Sequence, residues 1–178
     1  MRRLAILMRW MLALLVAGAA FPWLTAGGGI AAAEPQPIIL DDFSTPQAEI
    51  AIFQPGTRSA SAVTSAGILG GARVISAEHT GTTTANSFFW VGVKDGYYYS
   101  SRQINGQGNG AICWHGNTNT ETLNPTGLGG VDLTGGGYWN GFAIVAGRNG
   151  MQNNVVVTVY TDGTHYSTTS FMPPFTPV

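Results

Sequence analysis

The chain has 178 residues, one domain's worth, with 10% charged and 44% hydrophobic side chains, 25 Gly, 1 Cys and a formal net charge of -1. A lone cysteine excludes an internal disulfide framework and a thiolate zinc cluster, and 8 basic residues against 9 acidic ones give no electrostatic footprint for nucleic acid. Low charge with abundant Gly, Thr, Ser and Asn points to an all-β protein.

The first segment reads as an export signal. Arg2, Arg3 and Arg9 precede an apolar run from Trp10 to Phe21, and Pro22 and Gly27–Gly29 loosen the chain before Ala31, Ala32 and Ala33. Small side chains at Ala31 and Ala33 suit a signal peptidase, so residues 1–33 are expected to be a signal peptide and residues 34–178 the exported domain. The alternative is an uncleaved membrane anchor, but Pro22 and three consecutive glycines make poor helix. Cleavage removes three basic residues and no acidic one, leaving a mildly acidic domain in which Arg58, Arg73, Lys94, Arg102 and Arg148 are spread along the chain. Counterion release needs several cations on one face, so nucleic acid is not an expected partner.

The mature chain lacks helical periodicity and carries short β-branched or alternating runs between Gly and Asn turn signals. Expected strands are Pro37–Phe43, Glu49–Gln54, Arg73–Glu78, Asn86–Val93, Gly96–Gln103, Ala111–Trp114, Phe142–Ala146, Asn154–Thr161 and Thr164–Phe171. Two hairpins are expected, one turning at Lys94-Asp95-Gly96 and one at Asp162-Gly163. Val155, Val157 and Val159 face one side and Val156, Thr158 and Tyr160 the other, which predicts a strand covered on both faces. Gly106, Gly108 and Gly110 read as a loop. A closed barrel or a two-sheet sandwich would bury such strands.

Three segments carry a resemblance to a known group. They are Ile39-Leu40-Asp41-Asp42-Phe43-Ser44-Thr45-Pro46-Gln47, Ile68-Leu69-Gly70-Gly71-Ala72-Arg73, and Asn124-Pro125-Thr126-Gly127-Leu128-Gly129-Gly130-Val131-Asp132-Leu133-Thr134. The sequence resembles the jelly-roll ectodomains of bacterial exoproteins with PEP-CTERM-type sorting tails, over most of the mature chain and in the same order. The resemblance implies a secreted or surface-displayed, jelly-roll-like antiparallel β-sandwich, similar in outline to carbohydrate-binding jelly rolls. In that group the sheet continues past the position of Val178 into a sorting tail, whereas this sequence ends Met172-Pro173-Pro174-Phe175-Thr176-Pro177-Val178. The expectation is a C-terminally incomplete sandwich, with membrane contact confined to export or to a missing tail.

The aromatic side chains are the main candidates for function. Alternation puts Phe88 and Trp90 on one strand face and Phe89 on the other, with Tyr97 and Tyr99 opposite Tyr98. One face is core; the other either stacks sugar rings or is cross-strand packing. Trp114, His115, Tyr138, Trp139 and Asn140 sit beside Gly-rich and Asn-rich segments and are the expected ligand contacts. Asp41, Asp42 and Asp132 could supply oxygens to a structural calcium ion, against the plainer reading of turn capping. No other cofactor is expected. Cys113, between Ile112 and Trp114, reads as a buried thiol.

His79, His115 and His165 are scattered, and no nucleophile elbow, zinc-protease motif or P-loop is present. A glycosidase would need two carboxylates flanking a cleft, and Glu49, Glu78, Asp95 and Glu121 could in principle supply them. The expected function is therefore a non-catalytic, extracellular polysaccharide-binding module. The alternatives are a structural matrix protein that engages surface proteins and, behind it, a glycan-cleaving enzyme. A sparsely charged acidic surface fits neutral glycans better than anionic ones.

Overall fold

Side chains that alternate across a pleated strand need two apolar faces turned toward each other, and the described strands supply them. The structure, a computed structural model, describes residues 36–82, 87–103, 106–148 and 153–176, so the expected signal peptide lies outside the described residues. Eight strands follow in order: β1 (Gln47–Ile52), β2 (Arg58–Thr64), β3 (Ala72–His79), β4 (Phe89–Lys94), β5 (Tyr97–Arg102), β6 (Gly108–Cys113), β7 (Val155–Tyr160) and β8 (Tyr166–Phe171). They form antiparallel sheets in the orders β1-β4-β5, β2-β3-β6 and β7-β8. The first two pack together as the expected antiparallel β-sandwich.

Ile52, Phe89, Val91 and Val93 from one sheet meet Ile75 and Ala77 from the other, with Phe43, Ile50, Tyr98 and Ile112 against them. Each fully buried Ile, Val or Phe among them contributes roughly 1.5–3 kcal/mol. The sheet β2-β3-β6 leaves space for large rings from across the core. A Cβ at Gly108 would run into the Phe89 ring, and one at Gly110 would strike the Tyr98 hydroxyl. Burial pushes the Tyr98 phenol well above its ordinary range.

One end of the core is polar. Arg73, on β3, is fully buried and pairs with Asp41 at 2.9 Å, the two side chains being 0% and 1% exposed. Its Nη1 donates to both Asp41 oxygens, its Nε to Gln47 Oε1 at 2.9 Å and its Nη2 to the Thr45 carbonyl at 2.6 Å. Gln47 in turn donates to Ser61 Oγ and to the Ser61 carbonyl of β2. Gln47 reaches this position because the β1–β4 register shifts between Gln47 and Ile50. The bulge turns Gln47 inward, where plain alternation from Ile50 and Ile52 would aim it at solvent.

Several expected elements differ. Pro37–Phe43 forms no strand beyond the Asp41–Ile68 bridge, because Asp41 and Asp42 each accept the backbone N–H two residues on and Phe43 turns to a φ of 56°. Gly108 and Gly110, expected in a loop, lie within β6. Phe142–Ala146 is irregular and largely exposed, and β2, made mostly of Ser and Ala, was not expected. Cys113 is half-buried. Both hairpins form. Asp95 and Gly96, at φ of 55° and 80°, make the left-handed turn between β4 and β5. The β7–β8 hairpin pairs as expected, but it is not covered on both faces: Val155, Val157 and Val159 are half-buried while Val156 is 58% exposed.

His79 closes the other end of β3. It is 0% exposed, and neither ring nitrogen makes a hydrogen bond. A buried, unsatisfied polar group costs about 1–3 kcal/mol, so His79→Leu is expected to raise the unfolding free energy by about that amount. Denaturant titration checks it, and a loss of stability would show that the imidazole is satisfied in solution.

Candidate functional site

The expected ligand contacts fall into two places. Trp114, directly after β6, donates its indole N–H to Asp41 Oδ2 at 3.0 Å and lies tilted against Phe43, with ring centroids 6.4 Å apart. The Arg73 guanidinium sits 5.4 Å from the Phe43 ring centroid. His115 is buried, and its Nδ1 is without a hydrogen bond. Trp114 belongs to the packing around the Arg73–Asp41 pair, whereas His115 is buried with its carbonyl against the backbone of Gly127. Asp41, weighed above as a calcium ligand, turns both oxygens toward cationic or neutral N–H donors, and among the described residues no group of three or more His, Cys, Asp or Glu side chains is placed to hold a metal.

Tyr138, Trp139 and Asn140 lie on a separate Gly-rich loop. No ring contact or hydrogen bond links them to Trp114 or His115 among the described residues. The loop is pinned near its start by the touching backbones of Gly116 and Gly127, where a Cβ on either would collide with a carbonyl oxygen of the other strand of chain. Farther on, Asp132 Oδ1 accepts the Thr134 N–H and Asp132 Oδ2 the Gly136 N–H, while Thr134 Oγ1 accepts the Gly137 N–H. The Thr134 hydroxyl bond, then these backbone bonds, hold the Asp132 carboxyl below its ordinary range. The Trp139 N–H donates to the Thr134 carbonyl at 2.8 Å, which closes the turn. Tyr138 and Trp139 then meet edge to face at 4.7 Å and 78°. Tyr138 and Asn140 are exposed, and the buried Trp139 Nε1 has no partner.

A second aromatic surface occupies the outer face of β1-β4-β5. Phe53, Phe88 and Trp90 form a row with successive ring centroids at 5.6 and 4.6 Å, and Phe53 is 66% exposed. Beside the row Tyr99 crosses Gly92: a Cβ built on Gly92 would lie 2.8 Å from Tyr99 Cζ and 2.6 Å from its Oη. The Tyr99 hydroxyl continues over β4 to donate to Glu49 Oε2 on β1 at 3.0 Å. Partial burial, and then Glu49, raise the Tyr99 phenol above its ordinary value. The alternation of Phe88, Phe89 and Trp90 made this face legible in sequence; the roles of Gly92 and Glu49 have no sequence signal, since they depend on strand order.

The ionisable groups are dispersed. Glu49 is on β1, Glu78 on β3 beside Asn109, Asp95 in a turn and Glu121 in the loop after β6. Burial pushes the Cys113 thiol up, away from the thiolate. Asp162 Oδ2 lies 2.7 Å from His165 Nδ1 in the exposed β7–β8 turn. The neighbouring hydroxyl, Thr164 Oγ1, approaches that same nitrogen at 3.1 Å. A nucleophile would need the other ring nitrogen, so the cluster is a turn cap in its geometry.

No family model, curated protein or solved structure matches the chain.

The Asp162 carboxylate accepts the Thr164 N–H first, then bonds from His165 and the Thr164 hydroxyl, and these hold its pKa at about 2. A depressed carboxylate stabilises the hairpin above its unfolded value of 3.8 and loses that contribution as pH falls toward 2. NMR titration of the Asp162 carboxyl is expected to give a midpoint near 2; a midpoint at the ordinary value would remove the cap from the account.

Proposed function

We propose that the domain is an exported, non-catalytic β-sandwich that binds extracellular polysaccharide. The observation that carries this reading is the Tyr138–Trp139 pair beside exposed Asn140, on a loop whose backbone is fixed by Asp132 and Thr134. Carbohydrate binding needs an electron-rich ring for the apolar CH face of a pyranose and neutral hydrogen-bonding groups for its hydroxyls. Tyr138, Trp139 and Asn140 supply both. The loop is held by its own hydrogen bonds, so little ordering entropy remains to be lost on binding. Export rests on the basic, apolar and small-residue order of residues 2–33, and surface display accords with the resemblance to sorted exoproteins.

A second reading, a structural surface protein engaging other proteins, draws on the β7–β8 hairpin. Its strands carry no charged residue, and Val156, Tyr160 and Tyr166 are exposed. Uncharged open strand edges are ready to pair with another chain.

Thermal unfolding of the mature domain against a polysaccharide panel separates the two readings, because a ligand that binds the native state raises the transition temperature. Trp139→Ala is expected to weaken the polysaccharide effect about tenfold, the loss of a contact worth about 1.4 kcal/mol, while leaving the unliganded transition in place. No shift with any polysaccharide, combined with self-association, would favour the structural reading.

A further inference from the structure

The outer face of β1-β4-β5 is a built surface that the Tyr138–Trp139 loop does not account for. Phe89, Val91 and Val93 spend one side of β4 on the core, so the other side owes nothing to folding. Yet it carries Phe88 and Trp90, stacked at 26°, with Phe53 continuing the row from β1. A glycine at 92 and a tyrosine at 99 then produce an arrangement that ordinary cross-strand packing does not need. With no side chain at Gly92, the Tyr99 ring crosses the middle strand within van der Waals reach of its backbone and ties its hydroxyl to Glu49 on the far strand. A ring spanning β5 to β1 in this way lies across the outside of the sheet, half-buried against the backbone of β4. Its orientation is fixed from both ends before any ligand arrives.

Charge selects the occupant. The outward positions of the three strands, with Phe53 and Phe88 flanking them, hold one acid, Glu49, and one base, Lys94, and the rest are Ala51, Trp90, Gly92, Tyr97, Tyr99 and Ser101. The face is neutral, on a domain that is acidic overall, and an anionic polymer would gain nothing there. Its rings are bordered by phenol and serine hydroxyls and by the Glu49 carboxylate. That mixture fits a ligand with apolar CH faces and many hydroxyls, and a purely apolar partner would leave those groups unpaired.

We propose that this face is a second carbohydrate site, in which the Tyr99 ring stacks a pyranose of a neutral polysaccharide chain, the Phe53–Phe88–Trp90 row extends the apolar floor, and Glu49 both anchors Tyr99 and accepts a sugar hydroxyl. It rests on the polysaccharide reading above and adds a site to it.

The test is depletion binding of the mature domain to microcrystalline cellulose, chitin and a soluble neutral glucan, with alginate as the anionic control. Tyr99→Ala and the exposed end-of-row variant Phe53→Ser are each expected to weaken neutral binding by about tenfold. Tyr99→Phe, which keeps the ring and loses only its hydroxyl, is expected to stay within about threefold of the parent. Phe53→Ser alters an exposed side chain, so it decides the matter even where Tyr99→Ala fails to fold. Parent-like binding by both variants, with Trp139→Ala still defective, would overturn this site and leave the polysaccharide reading standing. Preference for alginate would overturn the charge argument and the proposal with it. Binding of the parent to none of the four would overturn the reading and the site together.

Discussion

A cation sealed inside an apolar sandwich dictates much of what surrounds it. The Arg73 guanidinium sits at one end of the core with no solvent, so each of its three nitrogens must find an acceptor within the protein. Asp41, Gln47 Oε1 and the Thr45 carbonyl supply them. Each acceptor carries a structural consequence. Asp41 fixes the chain before β1 and, through Trp114 Nε1, the exit of β6. Gln47 requires the bulge in β1 and reaches on to Ser61 in β2. Thr45 requires the turn in which Phe43 takes a left-handed φ. One buried ion pair thus ties both sheets to the segment that enters them. Charged pairs of this kind add little net stability compared with well-packed apolar side chains, but removing one partner leaves a buried group uncompensated.

That arrangement frees the rest of the molecule for display. With β3 and β4 facing each other across Ile75, Ala77, Val91 and Phe89, the opposite side of β1-β4-β5 is open, and it is there that aromatic side chains accumulate. Gly108 and Gly110 make this possible from the other sheet, since only bare backbone leaves space for the Phe89 and Tyr98 rings inside. The loop from Gly116 to Asn140 follows a different rule: touching backbones at Gly116 and Gly127, then a run of side-chain caps, hold an irregular path without a ladder.

The parts of the fold written in local pattern were legible. Asp95-Gly96 and Asp162-Gly163 marked their hairpins, and the alternation through Phe88, Phe89 and Trp90 separated inner from outer face. The parts that depend on distant partners were not. β2 is a strand because Ser61 and Val63 pair with Ile75 and Arg73, and its small side chains carry no apolar signal. Gly108 reads as a loop residue until Phe89 is seen to need its space. Pro37–Phe43 has strand-like residues whose aspartates satisfy the backbone locally instead. Trp114 and His115 looked like loop residues available to a ligand; the Asp41–Arg73 pair, 41 residues away in chain order at its nearer member, gives Trp114 its partner. For Tyr138 and Asn140 the Gly-rich stretch around them signalled an exposed loop, whereas the half-burial of Trp139 depends on contacts that sequence does not carry.

The central claim is that Arg73 and Asp41 act as one joint, and a double-mutant cycle addresses it directly. Arg73→Met and Asp41→Asn each leave a buried partner uncompensated and are expected to cost about 3–5 kcal/mol alone. The double variant is expected to cost less than the sum of the two by about 1–3 kcal/mol in denaturant unfolding. Additive losses, within about 0.5 kcal/mol, would mean that the two residues stabilise the fold separately, and the joint would not exist.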